Sequence, residues 1–268
     1  MVQWGGNHSS NYLLFKHFNR EIIFQQILKI NIIIRYNRCI SFYFIITGGE
    51  MMNHVKTYHS MVRQTEGGPI TIEGPLPSSE LKQYHFHKDL TAFRPAKKQF
   101  EAVMKIADFE EGRIIIARTE DTIVGYVTYL YPDPLERWSE FEMEDLLVLG
   151  AIEVIPEYRG VKIASSLLET SMHDTFMENY IIISTEYYWH WDLKGTGLSI
   201  WEYRKVMEKM MAAGGLTPAP TDDPEIISHP ANCLVVRIGK NVTEESIKRF
   251  DELRFLQRHK YRIMRGEK

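Results

Sequence analysis

From residue 52 onward, apolar and polar positions fall into short regular blocks, and the first two are extended. Thr57 to Arg63 and Ile70 to Glu73 flank Glu66-Gly67-Gly68-Pro69, the pattern of a strand, a glycine turn and a strand. Pro75, Pro77 and a Ser78-Ser79 cap predict a helical stretch carrying Leu81, Tyr84 and Leu90. A second helix is predicted from Pro95, with Phe100, Val103, Met104 and Ile106 at helical spacing and an end near Gly112. Residues 113–118 and 122–129 read as strands joined by Thr119-Glu120-Asp121, an antiparallel hairpin. After Pro132 and Pro134 comes a connection with Trp138 and several acids, then an apolar strand from Leu146 to Ile155. A loop and a helix from about Ile163 to Tyr180 follow. Ile181 to Tyr188 is the next strand, Leu198 to Ala213 the next helix, and Asn232 to Ile238 the last strand. No repeat or low-complexity linker interrupts the series, so residues 52–268 read as one mixed α/β domain.

The first 50 residues break this pattern. They hold ten Ile, five Phe and five Asn but no Ala, Asp or Pro, and no helical or strand period runs through them. Lys29, Arg35 and Arg38 interrupt the most apolar part, Ile22 to Ile46. The charge-free run from Cys39 to Gly49 falls short of the roughly 18 apolar residues of a membrane span. Charges inside the apolar region also exclude a secretory signal. Such a composition is what AT-rich DNA encodes when read without selection. Gly48-Gly49-Glu50 is what a purine-rich ribosome-binding sequence spells in one frame, directly before Met51-Met52. Residues 1–51 are therefore expected to be a misassigned leader before a start at Met51 or Met52, with a disordered interaction tail as the alternative.

Charge narrows the function classes. The chain has 32 Lys+Arg against 35 Asp+Glu, a net −3, which argues against a dedicated nucleic-acid binder. Its two cysteines, Cys39 and Cys233, cannot make a disulfide framework or a four-cysteine zinc module. His190, Asp192 and His229 lack zinc-ligand spacing, so no metal is expected. The expected location is the cytoplasm.

The chemistry concentrates in Val154-Ile155-Pro156-Glu157-Tyr158-Arg159-Gly160-Val161-Lys162-Ile163-Ala164-Ser165. A loop whose amides converge at a helix N-terminus is an anion site, and a small Ala164 allows close backbone approach. The run resembles the acetyl-CoA-binding segment of the GNAT acetyltransferase superfamily, where a strand ends in a Val-x-Pro-x-Tyr-Arg-Gly-like order and the loop carries Gln/Arg-x-x-Gly-x-Gly/Ala. Val154, Pro156, Tyr158, Arg159, Gly160, Ala164, Leu167 and Leu168 fall on that pattern. The resemblance implies a GNAT fold: a mixed central sheet flanked by helices, with a short N-terminal hairpin. Residues 52–75 would form the N-terminal strands and 146–180 the acetyl-CoA-binding strand–loop–helix. It also implies acetyl-CoA as co-substrate, held by Ile152, Val154, Arg159, Gly160, Val161, Lys162, Ile163, Ala164 and Ser165. Lys162 departs by replacing the motif's first glycine. The loop geometry is expected to be kept and a cation gained, with weaker coenzyme binding as the competing outcome.

Further segments narrow the likeness. Residues 186–198, Ile200-Trp201-Glu202-Tyr203-Arg204-Lys205, Asp222-Asp223-Pro224-Glu225-Ile226 and residues 228–234 are similar to the acetoin-utilisation acetyltransferases of bacilli. So are Lys56-Thr57-Tyr58-His59 and Thr71-Ile72-Glu73-Gly74-Pro75. The resemblance implies a protein lysine N-acetyltransferase whose target is the active-site lysine of acetyl-CoA synthetase, which acetylation would inactivate. A small-amine acetyltransferase and a non-catalytic acetyl-CoA-binding regulator that holds a partner enzyme are the alternatives. No nucleic acid or membrane partner is expected.

A lysine amine must lose a proton before it attacks a thioester. Glu153, beside the strand segment that would grip the pantetheine, and Glu186, which opens the aromatic block, are the candidate bases; Glu186 is preferred. The amide near Val154 would polarise the thioester carbonyl. The family's usual acid is a tyrosine before a Gly-aromatic pair, and matching Gly215-Leu216 to that pair puts Met211 there. Tyr203 is a weak substitute for that acid, and core packing is its favoured reading. Tyr187, Tyr188, Trp189 and Trp191 form either a substrate wall or a partly buried cluster.

Overall fold

The computed structural model describes residues 52–265, so the reading of residues 1–51 as a leader lies outside the described residues. The chain divides at Met51/Met52, and Met52–Lys268 forms its own unit. One sheet organises that unit. Strands β1 (His59–Thr65) and β2 (Gly68–Gly74) form the predicted N-terminal hairpin, turning at Gly68 with φ +104°. The predicted hairpin of β4 (Arg113–Arg118) and β5 (Thr122–Leu130) sits beside it, and the short β3 (His85–Phe86) lies parallel to the start of β5. Then come β6 (Leu146–Val154), β7 (Ile181–Glu186), β9 (Cys233–Ile238) and the edge strand β8 (Thr217–Ala219). The sheet is mixed because β6 and β7 run parallel while their outer neighbours run antiparallel.

Ile114, Ile115, Ile116 and Ala117 are all fully buried, so β4 is covered on both faces. Helix α2 (Ala96–Ala107) lies over β4 and β5, with Phe100 stacked on Phe86 and Phe86 against Tyr126. Helix α3 (Ile163–Ser171) crosses β1, β2, β4, β5 and β6 on the other face, beside α5 (Ile200–Ala212). A second core gathers Trp138, Phe250 and Leu253 over Ile181 and Ile183. It is built with α6 (Pro224–Ile227), through Ile226, and α7 (Glu244–Arg254), which is followed by the largely exposed basic helix α8 (Leu256–Met264).

Three sequence expectations need correction. The helical stretch through Leu81, Tyr84 and Leu90 is only the four-residue α1 (Ser78–Leu81), with Pro77 rather than a serine at its cap. The His85 and His87 amides bond to Asp121 and Ile123 carbonyls at 2.8 and 3.1 Å, so sheet pairing takes the chain out of the helix. The helix from Pro95 ends at Ala107, five residues before Gly112. The helix expected to reach Tyr180 stops at Ser171. There Asp174 caps a separate 3-10 turn, Thr175–Asn179, and meets Arg113 at 3.3 Å in an ion pair with side chains 1% and 0% exposed. Arg113 also donates to the Glu111 and Val55 carbonyls, each at 2.8 Å. A buried guanidinium needs those partners, and they fix where the helix must end.

What positions the site is an interruption in the sheet. Strands β6 and β7 pair only at Leu146–Val148 with Ile181–Ile183. Beyond that, β6 runs on to Val154 and β7 to Glu186 without bonding to each other, leaving a wedge-shaped gap.

Candidate active site

The backbone of β6 lines one side of this gap. Ile155 N–H donates to the Val124 carbonyl at 3.0 Å. Because antiparallel bonding alternates, the amides of Ile152 and Val154 then point away from β5 and into the gap. The chain next makes a 3-10 turn, Pro156–Tyr158, whose buried Tyr158 ring lies against Gly67 of the N-terminal hairpin. Gly160 has φ +80° and Lys162 φ +65°, so Lys162 holds the left-handed backbone that the motif's glycine would supply. The loop thus takes a lysine at a backbone conformation that favours glycine. The amides of Gly160, Val161 and Lys162 bond to nothing among the described residues, and no side chain caps α3. These donors lie at the positive end of α3, with exposed Lys162 beside them. Ile163 is buried and fixes the first turn of α3 in the core, while Ala164 and Ser165 are half-buried. Open donors, a helix N-terminus and cations fit a pyrophosphate, and an open strand edge fits the amide-bearing pantetheine arm.

Arg63 of β1 is a part of this loop that sequence reading missed. It donates to the Val161 carbonyl at 3.0 Å and to Ser166 Oγ at 2.9 Å, bracing the loop from the N-terminal hairpin. Nothing in a strand arginine about a hundred residues upstream signals that contact.

The structure brings Glu186 and Tyr203 together and sets Glu153 apart. Glu186 ends β7, accepts from Ser184 Oγ at 2.9 Å and has no cationic partner among the described residues. Burial pushes its pKa above the ordinary carboxylate value, with Ser184 and Trp191 opposing that shift. Trp191 stacks on Tyr203 at 5.2 Å. Burial raises the Tyr203 pKa, against smaller opposing effects of the Asp192 backbone and Arg159. Glu153 is 6% exposed, and both its oxygens are engaged: Tyr126 Oη donates at 2.9 Å and the Ala92 amide at 2.7 Å. Arg159 Nη1 donates to Asp192 Oδ2 at 2.7 Å.

The aromatic block is partly a surface. Tyr187 stacks on Trp189, and Tyr188 packs against His229 at 4.2 Å, which also faces Trp201. Trp189 and Trp201 remain exposed. Asn232 holds this turn, accepting from the Tyr188 amide at 3.1 Å while Arg204 donates to the Asn232 and Pro230 carbonyls.

A parallel pair that splays open, with an anion-binding loop at its mouth, is the architecture of acyl-CoA-dependent acetyl transfer. Residues 82–191 match the Acetyltransferase (GNAT) family, and the chain belongs to that family. It is 64% identical over 210 residues to the acetoin utilization protein AcuA of Bacillus licheniformis, and equally to that of Bacillus subtilis. Each comparison takes in 78% of this chain and all of the relative. The crystal structure of an acetoin utilization protein from Exiguobacterium sibiricum matches with a TM-score of 0.75 at 56% identity, covering 77% of this chain and 98% of that one. The expected GNAT fold and acetyltransferase class are borne out, and the fold implies acetyl-CoA binding. No helix among the described residues is long and apolar enough to cross a membrane.

Proposed function

We propose that this chain transfers an acetyl group from acetyl-CoA to a lysine of a protein, with cytoplasmic acetyl-CoA synthetase as acceptor and acetoin utilisation as the setting. The similarity to acetoin utilization proteins supports the setting. The observation that carries the chemistry is Glu186, a carboxylate without a cation at the end of β7 whose burial makes it a stronger base. A lysine amine, with an ordinary pKa of about 10.4, arrives protonated. A Glu186 carboxylate oxygen takes that proton, directly or through water, so that the nitrogen lone pair is free. The thioester of bound acetyl-CoA supplies the activated carbonyl: the C–N bond forms there and the C–S bond breaks. The Val154 amide, aimed into the gap, suits a developing oxyanion. As the C–S bond breaks, the Tyr203 hydroxyl, kept protonated by burial, gives its proton to the departing sulfur, and the nitrogen, which still carries one proton too many after the attack, gives one up directly or through water to restore the hydroxyl. Glu153 is the weaker base candidate because its oxygens are already spent on Tyr126 and Ala92. The exposed rings of Trp189 and Trp201 at the exit of β7 favour a macromolecular acceptor over a small amine, which would call for an enclosed site.

Incubating the protein with acetyl-CoA and purified acetyl-CoA synthetase, then locating modified lysines by peptide mass spectrometry, tests the proposal. Modification of one lysine with loss of synthetase activity is the expected result. Acetylation of small amines alone would favour the small-amine reading. Tight binding of the synthetase without any transfer would favour the regulator.

A further inference from the structure

Arg159 stands on the loop after β6, and Asp192 on the turn after β7. Their 2.7 Å contact therefore spans the open end of the gap whose strands have parted beyond Val148 and Ile183. Arg159 Nε also donates to the Val154 carbonyl at 3.3 Å, tying the same guanidinium to the gap's own wall. On the acetyl-CoA reading of the loop, that guanidinium is a cation the pyrophosphate would take. One side chain thus has two anionic claimants.

We propose that Asp192 is a latch on Arg159: it holds the guanidinium across the gap in the coenzyme-free protein and yields it to the pyrophosphate when acetyl-CoA binds, freeing the turn that carries Trp191. The inference rests on the loop being the acetyl-CoA site. The relative strengths set the direction of exchange. Both partners are nearly half exposed, at 41% and 45%, and an exposed pair of this kind is weak. Arg159 holds Asp192 by a single Nη1–Oδ2 bond, whereas a pyrophosphate carries more than one negative charge and can accept from the guanidinium in bidentate fashion, so the pyrophosphate wins. Asp192 keeps a second task after release, because its Oδ1 accepts from the Gly195 amide at 2.9 Å and caps α4 (Leu193–Thr196). The turn therefore shifts as a unit and does not unravel. Trp191, stacked on Tyr203 and next to Glu186, shifts with it.

Titration calorimetry with coenzyme A on the wild type, Asp192→Asn, Arg159→Gln and the double variant tests this. Asparagine keeps the capping oxygen and removes only the charge. Asp192→Asn should bind coenzyme A tighter, by about two- to fivefold, the worth of an exposed ion pair. Arg159→Gln should bind it more weakly, and adding Asp192→Asn to that background should change nothing. Tryptophan emission of free Asp192→Asn should already resemble that of coenzyme-bound wild type, and Trp191→Phe should abolish the difference. Unchanged or weaker binding by Asp192→Asn, or equal tightening in the Arg159→Gln background, overturns the latch. If Arg159→Gln weakens binding but Asp192→Asn is neutral, the loop reading stands and only the latch falls. If Arg159→Gln binds normally, the pyrophosphate lies elsewhere and both fall.

Discussion

Lys162→Gly isolates the strain in the loop before α3. A side-chain-bearing residue in the left-handed region costs about 1–2 kcal/mol, and Lys162 sits there at φ +65°. Glycine removes that cost but loses about 0.5–1 kcal/mol through the extra freedom of the unfolded chain. The net should stabilise the protein by about 0.5–1 kcal/mol, or about 1–4 °C in Tm for a domain of this size. Gly160→Ala, two residues earlier, should do the reverse. Its φ is +80° and nothing lies within 4 Å of an added Cβ, so the backbone alone costs about 1–2 kcal/mol. Lys162→Ala keeps the strained backbone without the charge. Comparing all three variants by urea unfolding and coenzyme A titration therefore separates conformation from electrostatics. Coenzyme binding by Lys162→Gly should stay within a few-fold of wild type. A destabilised Lys162→Gly, or a neutral Gly160→Ala, would refute the reasoning.

Glu186→Gln should lower the rate of transfer by about 10²- to 10⁴-fold, with coenzyme affinity kept and partial recovery at high pH; an active variant would return the role to Glu153 or to water. Because its native pKa is raised, folded Glu186 holds a proton that the unfolded chain has already released, so its contribution to stability falls as pH rises from 4.5 through the native value. Glu186→Gln should thus be more stable than wild type at pH 7 and no more stable below pH 4.5, a difference that thermal melts at both pH values would show. Tyr126→Phe should cost about 1–3 kcal/mol in urea unfolding by leaving a buried Glu153 oxygen without its donor. Asp174→Ala should cost about 3–5 kcal/mol, since it strands Arg113 in the core; a loss under 1 kcal/mol would mean that water reaches the guanidinium.

The turn before α3 was legible in the sequence because its motif is local: glycine, proline and helix-start signals lie within a dozen residues. The hairpins were equally legible, since Gly67-Gly68 and Thr119-Glu120-Asp121 are short-range turn signals. Long-range contacts decided what was missed. Periodicity through Leu90 suggested a helix, but β3 exists only because β5 offers it an open edge. Helix α3 carries no stop signal of its own, and Arg113, about sixty residues away, sets its end through Asp174. The same holds at the site. Glu153 and Glu186 were indistinguishable as isolated carboxylates, and what separates them is that Ala92 and Tyr126 lie against one while no cation reaches the other.

The family likeness covers residues 82–191, yet that stretch is not a self-sufficient piece of protein. Cut at those limits, the sheet would run only from β4 to β7, with the buried isoleucines of β4 facing the space left by β2 and β7 stripped of β9. Both flanks would be raw, hydrophobic strand edges, which recruit other chains. Arg63 would be gone as well, and with it the brace beneath Val161 and Ser166. The part of the chain that announces the chemistry therefore depends for its solubility, and for the shape of the loop before α3, on flanking strands that the family signature never touches.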